Sequence, residues 1–331
     1  MKLLNVGLIG SGCMGQHLAS QCQTLENVRI TAISDPNQDS LDRALEKLQP
    51  HSESPIQAFC SHQDLLKTEV DAVIIASPND LHKQQTIDAA ERGKHVFCEK
   101  PMALSVEDCD LMIQAADRAG VKLMPGQVLR LIPLYWQTHD IVTSGAIGKP
   151  FAMSVRRISS CWFGPSWRNS KQHAGGVVFE IHVHELDFMR HIMGEAESVH
   201  ALMGKYTESG LDYEDTVFIQ IKYKNGGIGQ LHGGLSSAVN EYKMLIQGVD
   251  GTLGNERSGD RLQYCRFGNS EEVTDVDNVE MEEPYRHELR SWVEAILYDT
   301  PMVFTAADGR AAIELAQAAY RSAELGQAVH L

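Results

Sequence analysis

The sequence predicts an α/β chain in two domains. Residues 1–126 read as a parallel sheet wrapped by helices, and residues 127–331 as an α+β domain with an open, largely antiparallel sheet. Three observations carry this. Short apolar runs alternate with helical patterns over the first 125 residues. The first run passes through a glycine turn straight into a helix. Near Gln127 the pattern changes to sequential strands with a hairpin signal between two of them.

The early strands are LNVGLI (4–9), VRITAIS (28–34), DAVIIAS (71–77), KHVFC (94–98) and VKLMPG (121–126). Their near-continuous Val/Ile/Leu content is that of parallel strands covered on both faces. Helices are expected over 14–25, 38–48, 80–92 and 105–119, the last with Ser105 as its N-cap. After a helix near 131–143 come the strands FAMSVRRIS (151–159), TVFIQIKY (216–223), IGQLHGGL (228–235) and KMLIQGV (243–249), with Asn225-Gly226 as a hairpin turn. Two closing helices, near 284–298 and 306–325, have room to pack back on the first domain.

A length of 331 residues gives room for two domains and a sizeable core, and 43% hydrophobic against 22% charged content is that of a globular chain. The net charge of −15 argues against a phosphate-backbone surface, so nucleic acid is not an expected partner. The seven cysteines are scattered and odd in number, with no CxxC pair, which excludes a disulfide framework or a cysteine zinc site. No run of about 18 apolar residues is present, so no membrane span is expected. The short apolar start is interrupted by glycines, unlike a signal peptide, and the expected location is the cytoplasm.

The glycine turn is Gly10-Ser11-Gly12-Cys13-Met14-Gly15, with Asp35 twenty residues after Gly15. A lone GxGxxG means little. Placed between the first strand and a helix, with an acid at that distance, it is the dinucleotide arrangement. Gly10 makes the tight turn, Gly12 lets a pyrophosphate approach the backbone, and Gly15 lets helix and strand pack closely. The helix N-terminus, from Cys13 and Met14 onward, offers N–H donors to phosphate. Asp35 can accept from ribose hydroxyls and would repel a 2′-phosphate, so NAD is expected rather than NADP.

Two further stretches carry chemistry. Cys98-Glu99-Lys100-Pro101 follows KHVFC at the strand end where such sheets bind ligands, although a surface Glu-Lys pair reads equally well from spacing alone. The stretch EIHVHELD (180–187) holds five ionisable residues. On a helix, Glu180, His184, Asp187 and His191 fall in one stripe, while His182 and Glu185 leave it. This stripe is an acid–base face, a metal site lacking a third ligand, or a solvated helix face.

The glycine turn, SPNDLH (77–82), EKP (99–101), GQVLR (126–130), the spacing GG…E…H..D (175–187) and the ending DGRAAIELAQAAYRSAELG (308–326) together resemble the glucose–fructose oxidoreductase / inositol dehydrogenase / MocA family over essentially the whole chain. The resemblance implies a Rossmann domain, a second domain whose open sheet forms a homodimer or homotetramer, and oxidation or reduction of a sugar or polyol. It places Lys100 and His184 in the catalytic site, with Glu180 where the family usually has Asp and His182 where small residues are common. The resulting expectation is an NAD-dependent oxidoreductase acting on a secondary alcohol. His184 serves as acid–base, Lys100 stabilises the substrate oxygen, and Glu180 pairs with Lys100 or orients His184. Ser77, Asn79, His82 and Glu99 join the cofactor site. Gln127, Arg130, Arg157, Trp162, Trp167 and Asp187 join Lys100 and His184 at the substrate, and no metal is expected. The alternatives are an NAD-dependent glycoside-cleaving enzyme and a silent NAD-binding regulator.

Overall fold

The computed structural model describes residues 3–255, 261–268, 274–276 and 280–331. The chain divides into two compact units, Met1–Val128 with Glu282–Arg310 and Leu129–Met281 with Ala311–Leu331. The second unit is therefore not one continuous stretch. The helix at Pro284–Tyr298 returns to the first unit, and the division falls within the last helix.

The first unit holds six parallel strands, β1 (Leu4–Ile9), β2 (Val28–Ser34), β3 (Gln57–Phe59), β4 (Ala72–Ile75), β5 (His95–Cys98) and β6 (Leu123–Pro125), in the order β3-β2-β1-β4-β5-β6. The apolar runs became strands because both faces are covered. All four residues of β4 are fully buried, Val73, Ile74 and Ile75 each contributing roughly 1.5–3 kcal/mol. The strand β3 escaped the sequence reading because three residues beginning with Gln57 show no apolar run. The helices are α1 (Cys13–Gln23), α2 (Gln38–Leu48), α3 (His62–Leu65), α4 (His82–Glu91) and α5 (Val106–Ala119). Ser105 caps α5 by accepting from the Asp108 N–H at 3.1 Å, and left-handed Gly120 ends it. The strand order reverses between β1 and β4, which sets the Gly10 turn beside Ala76 and Ser77.

The second unit opens with α6 (Pro133–Thr143) and β7 (Pro150–Ser160), then α7 (Lys171–Ala174), a π-helical turn at Val178–His182 and α8 (Val183–Met193). Then follow β8 (Ala196–Gly204), β9 (Thr216–Tyr223), β10 (Ile228–Gly234), β11 (Ser236–Gly248), β12 (Gly251–Gly254), β13 (Gln263–Arg266) and β14 (Thr274–Asp275). After α9 (Pro284–Tyr298) and α10 (Ala306–Leu325), β15 (Val329–His330) closes the chain. The sheet order is β14-β13-β12-β11-β7-β10-β9-β8-β15. Every pair is antiparallel except β7 with β10. Alternation along β9 buries Val217, Ile219, Ile221 and Tyr223 and exposes the opposite face. The helix α8 packs on β7 and β10, which places its charged stretch against the sheet. No described helix is long and apolar enough to cross a membrane.

Candidate active site

The glycine turn is built by exclusion. Gly10 has φ +88°, and a Cβ there would lie 2.6 Å from the Ala76 carbonyl carbon and the Ser77 nitrogen. A Cβ on Gly15 would run into the Gly10 carbonyl oxygen, so both positions admit only hydrogen. Gly12, the N-cap of α1, faces open space instead, with nothing within 4 Å of its added Cβ. The first turn of α1, which starts with Cys13 and Met14, carries no acid. Asp35 is fixed at the end of β2 by the Ser11 N–H at 2.8 Å and the Asn37 N–H at 2.9 Å. An open glycine cap, an acid-free helix start and an anchored carboxylate fit a dinucleotide.

The loops after β4 and β5 are tied together. Ser77 donates to Gln85 at 2.6 Å. Asn79 and His82 are both buried. The two His82 ring nitrogens lie 2.8 Å from the Pro101 carbonyl and 3.0 Å from the Ser77 carbonyl. These contacts join the loop after β4 to the loop after β5. Glu99 is buried and accepts from the Lys100 N–H at 2.7 Å, which folds the turn that carries half-buried Lys100. Gln127, at the end of this unit, is 1% exposed. Burial pushes the neighbouring Cys98 thiol up, so it stays protonated.

In the second unit the charged stretch differs from a regular helix. The turn Val178–His182 is π-helical, a form frequent at functional sites. Its start is held from outside: the Val177 N–H donates to Glu214 at 3.0 Å, the Val178 N–H to the Tyr320 hydroxyl at 3.2 Å, and that hydroxyl to Glu214. From Gly176 to Met189 every residue is buried except His184, which is half-exposed. A solvated helix face is therefore overturned.

Each acid of the stretch meets one arginine. Glu180, 3% exposed, accepts from Arg168 Nε at 2.9 Å. Glu185, fully buried, accepts from Arg157 Nη1 at 2.8 Å and the Tyr242 hydroxyl at 2.9 Å, and lies 3.1 Å from His182 Nδ1. Asp187, also fully buried, accepts from Arg130 Nε at 2.7 Å and Nη2 at 2.5 Å. Of the residues expected at the substrate, Arg130 and Asp187 thus pair with each other, and Arg157 pairs with Glu185. Burial raises the Glu185 carboxyl, but the Arg157 guanidinium, the His182 hydrogen bond and the two nearby imidazoles together outweigh it and hold the group at about 2. Burial pushes His182 down more than Glu185 lifts it, so its ring is neutral at pH 7. His182 Nε2 packs against Gly233, where a Cβ would collide with it. Trp162 is 57% exposed, whereas Trp167 is half-buried with its ring centroid 4.6 Å from the Arg168 guanidinium carbon. Among the described residues no group of three or more His, Cys, Asp or Glu is gathered for a metal ion.

Sequence reasoning missed Glu214, Tyr320 and the His182–Glu185 pair. The i, i+3 spacing of the last two was the available signal. Glu214 and Tyr320 left none, being 106 residues apart.

The fold and glycine site together define an NAD-binding oxidoreductase with a Rossmann domain. Family models described as "Oxidoreductase family, NAD-binding Rossmann fold" and "Oxidoreductase family, C-terminal alpha/beta domain" match residues 4–127 and 140–331, so the chain belongs to the glucose–fructose oxidoreductase / inositol dehydrogenase / MocA family. It is 32% identical to the 2,7-anhydro-N-acetylneuraminate hydratase of Escherichia coli over 76% of this chain and 67% of the relative. It is 28% identical to the myo-inositol 2-dehydrogenase of Thermotoga maritima over 99% and 98%. In fold it resembles an Agrobacterium radiobacter oxidoreductase solved with NAD+, L-tartaric acid and magnesium. That likeness has a TM-score of 0.88 at 20% identity and covers 99% of this chain and 98% of that one.

Proposed function

We propose that the enzyme oxidises a secondary alcohol of a sugar, polyol or sugar derivative, with His184 as acid–base. The observation that carries this is the exposure of His184: within a buried stretch whose acids each meet an arginine, this histidine is the half-exposed residue. Gly10, Gly12, Gly15 and the start of α1 hold the pyrophosphate, and Asp35 holds the adenosine ribose and disfavours a 2′-phosphate. NAD supplies the hydride acceptor when bound. His184 takes the hydroxyl proton, as suits an imidazole near neutrality. Lys100 donates to the same oxygen and stabilises its developing charge. Glu180 acts on His184 as a nearby fixed charge held by Arg168. The exposed sheet face bearing Leu202, Phe218 and Ile228 is the surface for a homodimer or homotetramer.

His184→Ala and Lys100→Ala are expected to lower kcat by roughly 10²–10⁴ while the thermal shift on adding NAD persists. Near-normal turnover in His184→Ala would sink the assignment. A second reading is favoured by the 32% identity to the hydratase. In it the same residues oxidise the sugar transiently, the carbonyl acidifies the neighbouring C–H so that a C–O bond breaks by elimination, water adds across the C=C bond so formed, and reduction of the carbonyl regenerates the cofactor. Absorbance at 340 nm, read beside chromatography of products, separates the two: net NADH marks dehydrogenation, and product without NADH marks the second.

A further inference from the structure

We infer that Arg168 is the recognition point for a carboxylate, so that the substrate class is a sugar acid. This rests on the sugar-oxidising reading above and narrows it. The guanidinium is held on several sides before any ligand arrives. Its Nε donates to buried Glu180 at 2.9 Å, and its carbon lies 4.6 Å from the Trp167 ring centroid and 5.8 Å from that of Phe163. The Arg168 carbonyl accepts from the Tyr213 hydroxyl at 2.7 Å, and burial, with the Glu180 charge behind it, pushes that hydroxyl up so that it stays a donor. The loop itself is closed by the Ser166 N–H donating to Asn169 Oδ1 at 2.9 Å. The Lys171 N–H donates to Asp212 at 2.5 Å. Both Arg168 Nη groups take no hydrogen-bond partner among the described residues, and the side chain is 37% exposed. A planar fork stacked on an aromatic ring, with two Nη donors free, is the arrangement that binds carboxylates bidentately.

Charge sets the anion. Arg130, Arg157 and Lys171 are each met by a carboxylate, respectively Asp187, Glu185 and Glu214. Arg168 also meets a carboxylate, Glu180, through Nε, so its open Nη edge is a hydrogen-bonding fork rather than an uncompensated charge and suits a monoanion better than a phosphate of roughly two charges. It also gives a reason for Glu180 where the family usually has Asp: the longer side chain is the one that meets the Arg168 Nε.

The test is isothermal titration of the NAD-loaded enzyme with D-glucuronate and D-galacturonate against D-glucose and D-galactose. NADH formation is followed in parallel. The wild type is expected to bind an acid at least about 10-fold more tightly than its neutral counterpart. Arg168→Gln removes most of that preference, and Arg168→Lys restores part of it. A wild type without acid preference overturns the inference, and so does a preference that survives Arg168→Gln. Acid binding that depends on Arg168, without chemistry on any probe, would strike the oxidation reading and leave this one standing. Turnover of neutral sugars alone would do the reverse.

Discussion

The glycine turn at the head of α1 and the π-helical turn at the head of α8 each set a functional group at the start of a helix, by opposite means. In the first, backbone does the work. Gly10 is locked by main-chain atoms of the loop after β4 and Gly15 by the Gly10 carbonyl of the turn itself, with the Leu8 side chain the next nearest neighbour. In the second, side-chain charge does it. Three carboxylates within eight residues are met by three arginines from three separate places: Arg130 just before α6, Arg157 on β7 and Arg168 in the loop after it. Buried ion pairs of this kind add little net stability, since desolvation offsets the Coulomb gain. What they supply is one orientation of the turn, with His184 facing out.

The largest effect should come from breaking that ionic arrangement. Arg157→Met leaves Glu185 ionised and fully buried with only neutral partners. The expected loss is about 3 kcal/mol, the lower end for a broken buried pair because Arg157 is partly solvated. Urea unfolding measures it, and adding Glu185→Leu to the same chain should recover most of the loss. A cost under about 1 kcal/mol for Arg157→Met would mean that packing rather than charge sets the turn.

On the other side of the comparison, Gly15→Ala forces a methyl into the Gly10 carbonyl. Overpacking of this kind costs roughly 1–3 kcal/mol. The more telling readout is cofactor binding, because a shifted Gly10 carbonyl moves the turn that holds the pyrophosphate. The expected outcome is loss of the NAD-induced thermal shift. An unchanged shift would show that the turn adapts and that its glycines are not required by shape.

The same contrast explains what was legible. The first unit could be read from the chain because its signals are local. LNVGLI, VRITAIS and the helix at 38–48 appear with their expected bounds, and the spacing from Gly15 to Asp35 is a sequence distance. The three-residue β3 and the four-residue α3 were too short to show. The two closing helices, and TVFIQIKY in the second unit, were equally visible, but the site in that unit was not. Periodicity assumed 3.6 residues per turn through a segment that is π-helical, and it sent Glu185 and His182 away when both are buried. The arginines that neutralise the stretch lie 12, 28 and 57 residues from their acids, and no spacing rule reports such partners.

Glu288 sharpens the comparison at its smallest scale, as a buried acid of the first unit that has no arginine. It lies on α9, fully buried, and neither carboxyl oxygen has a partner among the described residues. Burial, then the charges of Glu99 and Glu283, push it well above the usual carboxylate range, so the folded protein keeps its proton where the unfolded chain releases it. The sign follows: stability is fully present below the unfolded value near 4.3 and is lost as pH rises toward the folded one, at about 1.4 kcal/mol per unit of displacement. Glu185 has the opposite sign, because Arg157 lowers it and its contribution is lost only as pH falls toward about 2. Glu288→Gln, which cannot ionise, should therefore match the wild type near pH 4.5 and exceed it by on the order of 1–2 kcal/mol at pH 8. Urea midpoints at the two pH values measure the difference. A gain that is equal at both would mean that Glu288 is ionised in the folded protein, and that this unit, too, holds a paired buried charge.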